Sequence, residues 1–111
     1  MNSLGTIEPS IGSTAGRPEW IQVIGAHPHL SHVADKQGIN PMTKGPMFYK
    51  APPDCAHVLV DGVGVGMIHW AMDDSRRLVV WSDTGAEIQV ALVAEHVAAQ
   101  LGWHYVPEDV A

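Results

Sequence analysis

One helix is delimited by the sequence itself, and it constrains the fold more than any other segment. Between residues 84 and 101, apolar side chains recur at spacings of three and four, the period of a helix with one buried face. Thr84 and Glu87 have the spacing of a capping box, which satisfies free backbone amides at a helix start. Gly102 suits the left-handed position that ends a helix. The predicted buried stripe consists of Val90, Val93, Ala94, Val97, Ala98 and Leu101.

A helix with one apolar face needs a surface to cover that face, and residues 55–82 predict a sheet. They contain three β-type runs, separated by Asp61-Gly62 and by residues 73–76. Because Asp-Gly favours a tight hairpin turn, the first two runs should pair antiparallel, and the third should extend them into a meander. Gly64 and Gly66, expected on one face of the second run, leave room there for a close neighbour.

Three shorter runs, at 20–24, 47–50 and 103–106, are also β-prone. The order of elements predicts an α+β domain, a mostly antiparallel sheet of about four to five strands with one amphipathic helix (84–101) packed on one face. Residues 1–18 are rich in Gly, Ser, Thr and Pro, so we expect a flexible N-terminal arm there. Residues 19–111 should form a single α+β domain.

The charge balance restricts the partners that such a chain can bind. The sequence has 6 Lys and Arg against 12 Asp and Glu, a net charge of −6 with neutral histidines. This argues against nucleic acid and against an anionic membrane, which both attract basic surfaces, and it favours a basic protein. No signal peptide and no run of ~20 apolar residues is present, so we expect a cytoplasmic protein. The single cysteine, Cys55, excludes an intramolecular disulfide.

Three histidines, His27, His29 and His32, lie close together in the stretch AHPHLSH. Imidazole pairs at this spacing can hold zinc or iron, although Pro28 is more typical of a turn and no established zinc-binding pattern is present. Further ligands would have to come from Asp35, His57, His69 or His104. The preferred interpretation is a loop of partly exposed histidines, with no cofactor. The alternative is a small metal-dependent enzyme or metal-binding protein that uses the three histidines.

The sequence contains no recognisable active site. Cys55 and His57 could act as nucleophile and base, but a lone cysteine is more often a small buried apolar residue. Adjacent carboxylates such as Asp73 and Asp74 are typical of a solvated turn. The glycines of DGVGVG lie within a strand and lack the following helix that a phosphate-binding loop requires. We therefore expect a protein that is not an enzyme.

Both faces of the predicted meander carry large apolar side chains, and one helix cannot cover both. If Ile68 and Trp70 face the core, Trp81 lies on the opposite face. An aromatic strip with an acidic rim is typical of a protein-binding surface. The residues predicted to contact a partner are Trp70, Trp81, Asp61, Asp73, Asp74 and Asp83. Alternatively, segment 26–54 folds over the strip and completes the core.

These features together favour a small acidic, non-enzymatic binding protein. In composition, though in no motif, the chain is similar to bacterial immunity proteins, antitoxins and small inhibitors, which neutralise a second protein by covering it. The leading hypothesis is an inhibitor or immunity-type protein that binds a basic toxin or enzyme. Besides the metal-binding alternative, a homo-oligomer that pairs through an edge strand is a third hypothesis.

Overall fold

The computed structural model describes residues 1–33, 36–39, 42–43, 45–49 and 54–108, and for 36–39 and 46–49 it describes the backbone alone. Asp35 and Lys50 lie outside these ranges, as does part of the segment expected to fold over the sheet. In chain order the elements are β1 (Asn2–Pro9), α1 (Arg17–Ala26), β2 (Leu30–His32), β3 (Lys36–Ile39), β4 (Pro46–Tyr49), β5 (Ala56–Val60), β6 (Val63–Trp70), β7 (Leu78–Ser82), α2 (Glu87–Leu101) and β8 (Trp103–Pro107).

Within the described residues, the strands form one sheet of six and one ribbon of two. The sheet has the order β2-β5-β6-β7-β1-β8, the ribbon consists of β3 and β4, and every pairing is antiparallel. The predicted α+β class is confirmed, with a larger sheet than the four to five strands expected and a second helix. Neither described helix combines the length and the apolar composition needed to cross a membrane.

Helix α2 packs on the sheet through the predicted stripe, whose six residues are the ones that it buries. The predicted capping box is wrong, because the helix begins at Glu87 and the Thr84 hydroxyl instead accepts a hydrogen bond from Asn2 Nδ2 at 3.2 Å. The Glu87 carboxylate accepts the Gly85 N–H at 2.8 Å, which stabilises the first turn from outside the helix. Gly102 ends the helix with a φ of 69°, as predicted.

The predicted hairpin and meander are present. Asp61 and Gly62 turn the chain with φ angles of 51° and 79°, and β5 pairs antiparallel with β6, which pairs in turn with β7. One irregularity was not predicted: the register shifts between Val58 and Leu59, where an additional residue of β6 forms a bulge. The bulge changes the face on which the first residues of β6 lie.

The two glycines of β6 therefore have different neighbours. A Cβ atom at Gly66 would lie 2.6 Å from the Trp81 carbonyl oxygen and 2.8 Å from a methyl group of Val90 on α2. A Cβ atom at Gly64 would lie 3.6 Å from His57 Nδ1, an ordinary contact. The predicted close approach thus occurs at Gly66 alone, where α2 rests on the sheet.

The β-prone run at 20–24 is helical, so this strand prediction is wrong. Pro18 lies in the first turn of α1, where a missing N–H costs no hydrogen bond, and the Glu19 carboxylate accepts the N–H of the cap residue at 3.3 Å. Trp20 and Ile24, four residues apart, are both buried. The helix-start residues and this burial outweigh the β propensity of the run.

Strand β1 lies inside the segment that was expected to be an arm. It pairs with β7 on one side and with β8 on the other, and Ile7 is fully buried in the core. Both backbone edges of β1 are therefore hydrogen-bonded, a stabilisation that amino-acid composition does not report. Further along the segment, Arg76 donates hydrogen bonds to the carbonyl oxygens of Ser13 and Ala15 at 2.6 to 2.9 Å.

Candidate functional site

Trp81 lies on the sheet face opposite the helices, as expected. It is half-buried, and its indole N–H donates to His69 Nε2 at 3.0 Å. His69 Nδ1 contacts the Trp70 carbonyl oxygen at 2.7 Å, and because a carbonyl only accepts, the proton of the neutral ring is on Nδ1. His69 itself is buried, so Trp81 is held in place by a side chain that is not accessible to a partner.

Trp70, the second aromatic residue predicted to contact a partner, belongs to the core. It is only 5% exposed, its ring packs against Trp103 with centroids 6.2 Å apart, and its indole N–H donates to Asp74 Oδ1 at 3.0 Å. Alternation along β6 places it on the helix side with Gly66 and Ile68. Trp70 therefore offers no surface for direct contact.

The four predicted acidic residues do not form one rim. Asp61 and Asp83 lie at one end of the meander, whereas Asp73 and Asp74 lie in the turn at the other end of β6. Eight strand residues separate the ends by about 25 Å. Asp73 is engaged by the N–H and hydroxyl of Ser75, hydrogen bonds that lower the pKa of its carboxyl group.

A different cluster of polar side chains lies at the C-terminal end of α1. His27 is buried, and its Nε2 lies 2.8 Å from Nδ1 of His96 on α2. The backbone N–H of His29 donates to His27 Nδ1 at 3.0 Å, so in the neutral ring the proton is on Nε2 and is donated to His96. Burial, and then the nearby His96 and His29, lower the pKa of His27.

This arrangement differs from the set of His27, His29 and His32 on which the metal-binding alternative depends. His32 is exposed at the end of β2, and His96, 69 residues from His27, contacts that ring in its place. Two nitrogens on one tetrahedral zinc ion would lie about 3.3 Å apart, so the observed 2.8 Å fits a shared proton better. Among the described residues, no group of three or more His, Cys, Asp or Glu side chains could hold a metal ion.

The histidine pair forms one end of an apolar groove between α2, the chain before β2 and the end of β5. The groove encloses about 490 Å³, and the atoms that it exposes are almost all apolar. This size is within the range of small-molecule and side-chain binding pockets. Its lining residues are His27, Pro28, His29, Val60, Gln89, Leu92, Val93 and His96.

Exposed apolar side chains extend the groove outward. Ile88 and Leu92 are 76% and 61% exposed on α2, one helical turn apart, and Val63 is exposed beside its strand partner Val60. Ile88, Leu92 and His96 are spaced by four residues and form a second row along α2, outside the predicted buried stripe. That spacing was the sequence signal for this surface.

Three carboxylates, here called the acidic margin, lie at the same end of the molecule. Asp61 follows Val60 directly, the N–H of Asp83 donates to the Val65 carbonyl at 2.8 Å, and Glu87 begins α2. The backbone N–H of Gly85, donating to the carboxylate, lowers the pKa of Glu87 and keeps it charged. The acidic margin thus consists of Asp61, Asp83 and Glu87.

The arginines whose side chains are described lie near the end of β6 that is opposite the acidic margin. Arg17 forms an ion pair with Asp54, and its Nη1 lies 3.6 Å from Asp74 Oδ1. Arg77 Nη2 lies 3.5 Å from Asp73 Oδ2. Carboxylates at that end are therefore compensated, whereas none of the described ion pairs involves the acidic margin.

Cys55, which the sequence offers as a possible nucleophile, is fully buried. Burial raises the pKa of its thiol to about 11, so it is protonated at neutral pH and is a poor nucleophile. Comparison with known proteins gives no assignment: no family model, no curated protein and no solved structure matches the chain.

Proposed function

We propose that the protein is a non-enzymatic binding protein that inhibits or neutralises a second protein through the groove and the adjoining surface of α2. The observation that carries this proposal is the exposed pair Ile88 and Leu92 beside an apolar groove. Contiguous apolar surface costs free energy in water, so its presence is typical of an interaction site. This surface replaces the aromatic sheet face as the main contact area.

The partner is proposed to be a basic protein, such as a toxin or an enzyme. Support comes from the net charge of −6 and from the acidic margin beside the groove. Opposite charges at the edge of an interface accelerate encounter and favour the correct partner. A cytoplasmic location, argued from the sequence, belongs to the same proposal.

Affinity capture with the tagged full chain tests this function. The Leu92→Arg variant places a charge in the groove, and Ile11→Arg makes the same type of change at a fully exposed residue in the loop between β1 and α1. Wild type and Ile11→Arg should retain one dominant, roughly equimolar, basic protein that Leu92→Arg loses. Circular dichroism checks that both variants fold.

Two results would contradict the proposal. One is a partner that Leu92→Arg retains as well as the wild type does, which would move the binding site elsewhere. The other is no partner at all but near-stoichiometric zinc or iron in the same eluate. If His27→Ala or His29→Ala removed that metal, the metal-binding alternative would replace the present one.

A further inference from the structure

We propose that the segment seated in the groove is an amphipathic, basic α-helix of the partner. Its aliphatic side chains would enter the groove beside Leu92, and its Lys or Arg side chains would meet the acidic margin. The inference rests on the proposed function and adds the chemistry of the occupant.

The groove offers few hydrogen-bonding groups, which favours an apolar occupant. Both ring nitrogens of His27 are already used, and His29 Nδ1 contacts the Leu59 carbonyl oxygen at 3.1 Å. A polar ligand would lose its water without regaining equivalent hydrogen bonds, which is costly. Aliphatic side chains lose nothing comparable and bury apolar area, about 25 cal/mol for each Å².

A helix fits this surface better than an extended strand does. Ile88 and Leu92 form a ridge at the i,i+4 spacing along α2, and such ridges pack into the grooves of a second helix 8–10 Å away. A strand would need an unpaired backbone edge, but β5, whose end lines the groove, is paired with β2 and β6, and the Leu59 N–H is bonded to the His29 carbonyl oxygen. An incoming helix would place side chains at i, i+3 or i+4, and i+7 along the groove.

Charge complementarity indicates the sign of the polar face of the incoming helix. Asp61 and Glu87 of the acidic margin lie within two residues of Val60 and Gln89, which line the groove, whereas Arg17 and Arg77 pair with carboxylates near the other end of β6. A helix with Lys or Arg beside its apolar face would find opposite charges at its edge. Such exposed pairs mainly affect association rate and salt dependence, since the solvent screens them.

The test uses the full-length protein and three designed peptides in fluorescence anisotropy. The first peptide is an amphipathic helix with leucine at i, i+3, i+4 and i+7 and lysine on its polar face. The second has glutamate in place of lysine, and the third has the composition of the first in a scrambled order that forms no apolar face. Protein variants are Leu92→Arg, the control Ile11→Arg, and the double variant Asp61→Asn/Asp83→Asn.

The lysine peptide should bind the wild type and Ile11→Arg alike, and Leu92→Arg about tenfold or more weakly. Asp61→Asn/Asp83→Asn should weaken it less and reduce its dependence on salt. The proposal is overturned if the lysine peptide binds no better than the scrambled or glutamate peptide. It is also overturned if wild type, but not Leu92→Arg, forms a dimer in light scattering, which would assign the groove to a second copy. A captured partner lost by Leu92→Arg would still support the function in either case, so the two failures are distinguishable.

Discussion

Replacing Gly66 by alanine should push α2 away from the sheet, and with it the wall of the groove. The added Cβ would lie 2.6 Å from the Trp81 carbonyl oxygen, and 2.8 Å and 3.2 Å from the two methyl groups of Val90. Val90 is fully buried, so its methyl groups cannot rotate into solvent. The carbonyl belongs to β7, which pairs with β6, so it cannot retreat without disturbing that pairing.

The loss of folding free energy in Gly66→Ala can be judged from what overpacking costs in other protein cores. Overpacking a filled core by one methyl group costs about 1–3 kcal/mol, and a backbone neighbour that cannot move favours the upper half of that range. An unfolding entropy of about 2.1 cal/mol/K per residue means that, in a chain of 111 residues, 1 kcal/mol shifts Tm by about 4 °C. Gly66→Ala should therefore lower Tm by about 8–12 °C.

Thermal unfolding followed by circular dichroism measures this shift, and Gly64→Ala on the same strand is the matched control. Its Cβ would meet only His57 Nδ1 at 3.6 Å, so that variant should be neutral or gain about 0.5–1 kcal/mol from reduced backbone entropy. In a Val90→Ala background the penalty at Gly66 should shrink, because two of its three contacts disappear. Equal stability of Gly66→Ala and wild type would refute the close packing of α2 on β6.

Two further predictions concern buried titratable groups. Because burial, followed by two neighbouring imidazoles, lowers the pKa of His27, the folded protein binds fewer protons than the unfolded chain below the ordinary value of 6.5. The stability that His27 contributes should be complete above pH 6.5, and acidification below that pH should remove it by at most about 1.4 kcal/mol per pH unit. Tm measured across this pH range should fall less steeply in the His27→Gln variant. Cys55 should react with iodoacetamide only after denaturation, since it is fully buried and its thiol pKa is about 11. Rapid alkylation of the native protein would show that the region around Cys55 opens.

The elements that the sequence predicted correctly are those with strong local signals. The stripe from Val90 to Leu101 repeats a helical period over more than three turns, and Asp61-Gly62 joins two apolar runs with the shortest hairpin loop. In both segments, the residues that determine the structure lie within about ten positions of one another. Local periodicity and turn chemistry are then sufficient.

Elements that depend on distant partners were not predictable in this way. Strand β1 contains Gly5, Thr6 and Pro9, a composition typical of a linker, and it is ordered by β7 and β8, more than 70 residues away. The run at 20–24 has residues that suit a strand, but Trp20 and Ile24 are buried together only if the segment is helical. In each segment, tertiary contacts determine the structure.

The candidate site contains residues with a local sequence signal and residues that only distant contacts bring together. The sequence identifies His27 and His29 as a pair, yet the ring that contacts His27 is His96, on α2 but outside the predicted buried stripe. A shared proton between rings that are 69 residues apart leaves no spacing pattern in the sequence. Ile88 and Leu92, by contrast, were visible as apolar residues outside the buried stripe. Exposed apolar residues at i,i+4 spacing are thus the part of the site that sequence can reveal.

The position of the charges gives the net charge of −6 a specific consequence. If carboxylates were distributed evenly, the charge would favour basic partners without selecting a contact surface. Instead Arg17 and Arg77 pair with acidic residues before β5 and in the β6–β7 turn, while none of the described ion pairs involves the acidic margin at the other end of β6. Carboxylates without an ion pair among the described side chains therefore lie at the end of the molecule where apolar surface is also exposed. If the partner is a basic protein, as proposed, these charges would orient it toward the groove, where burying its aliphatic side chains gains free energy. Electrostatic attraction and apolar burial would then act at the same surface.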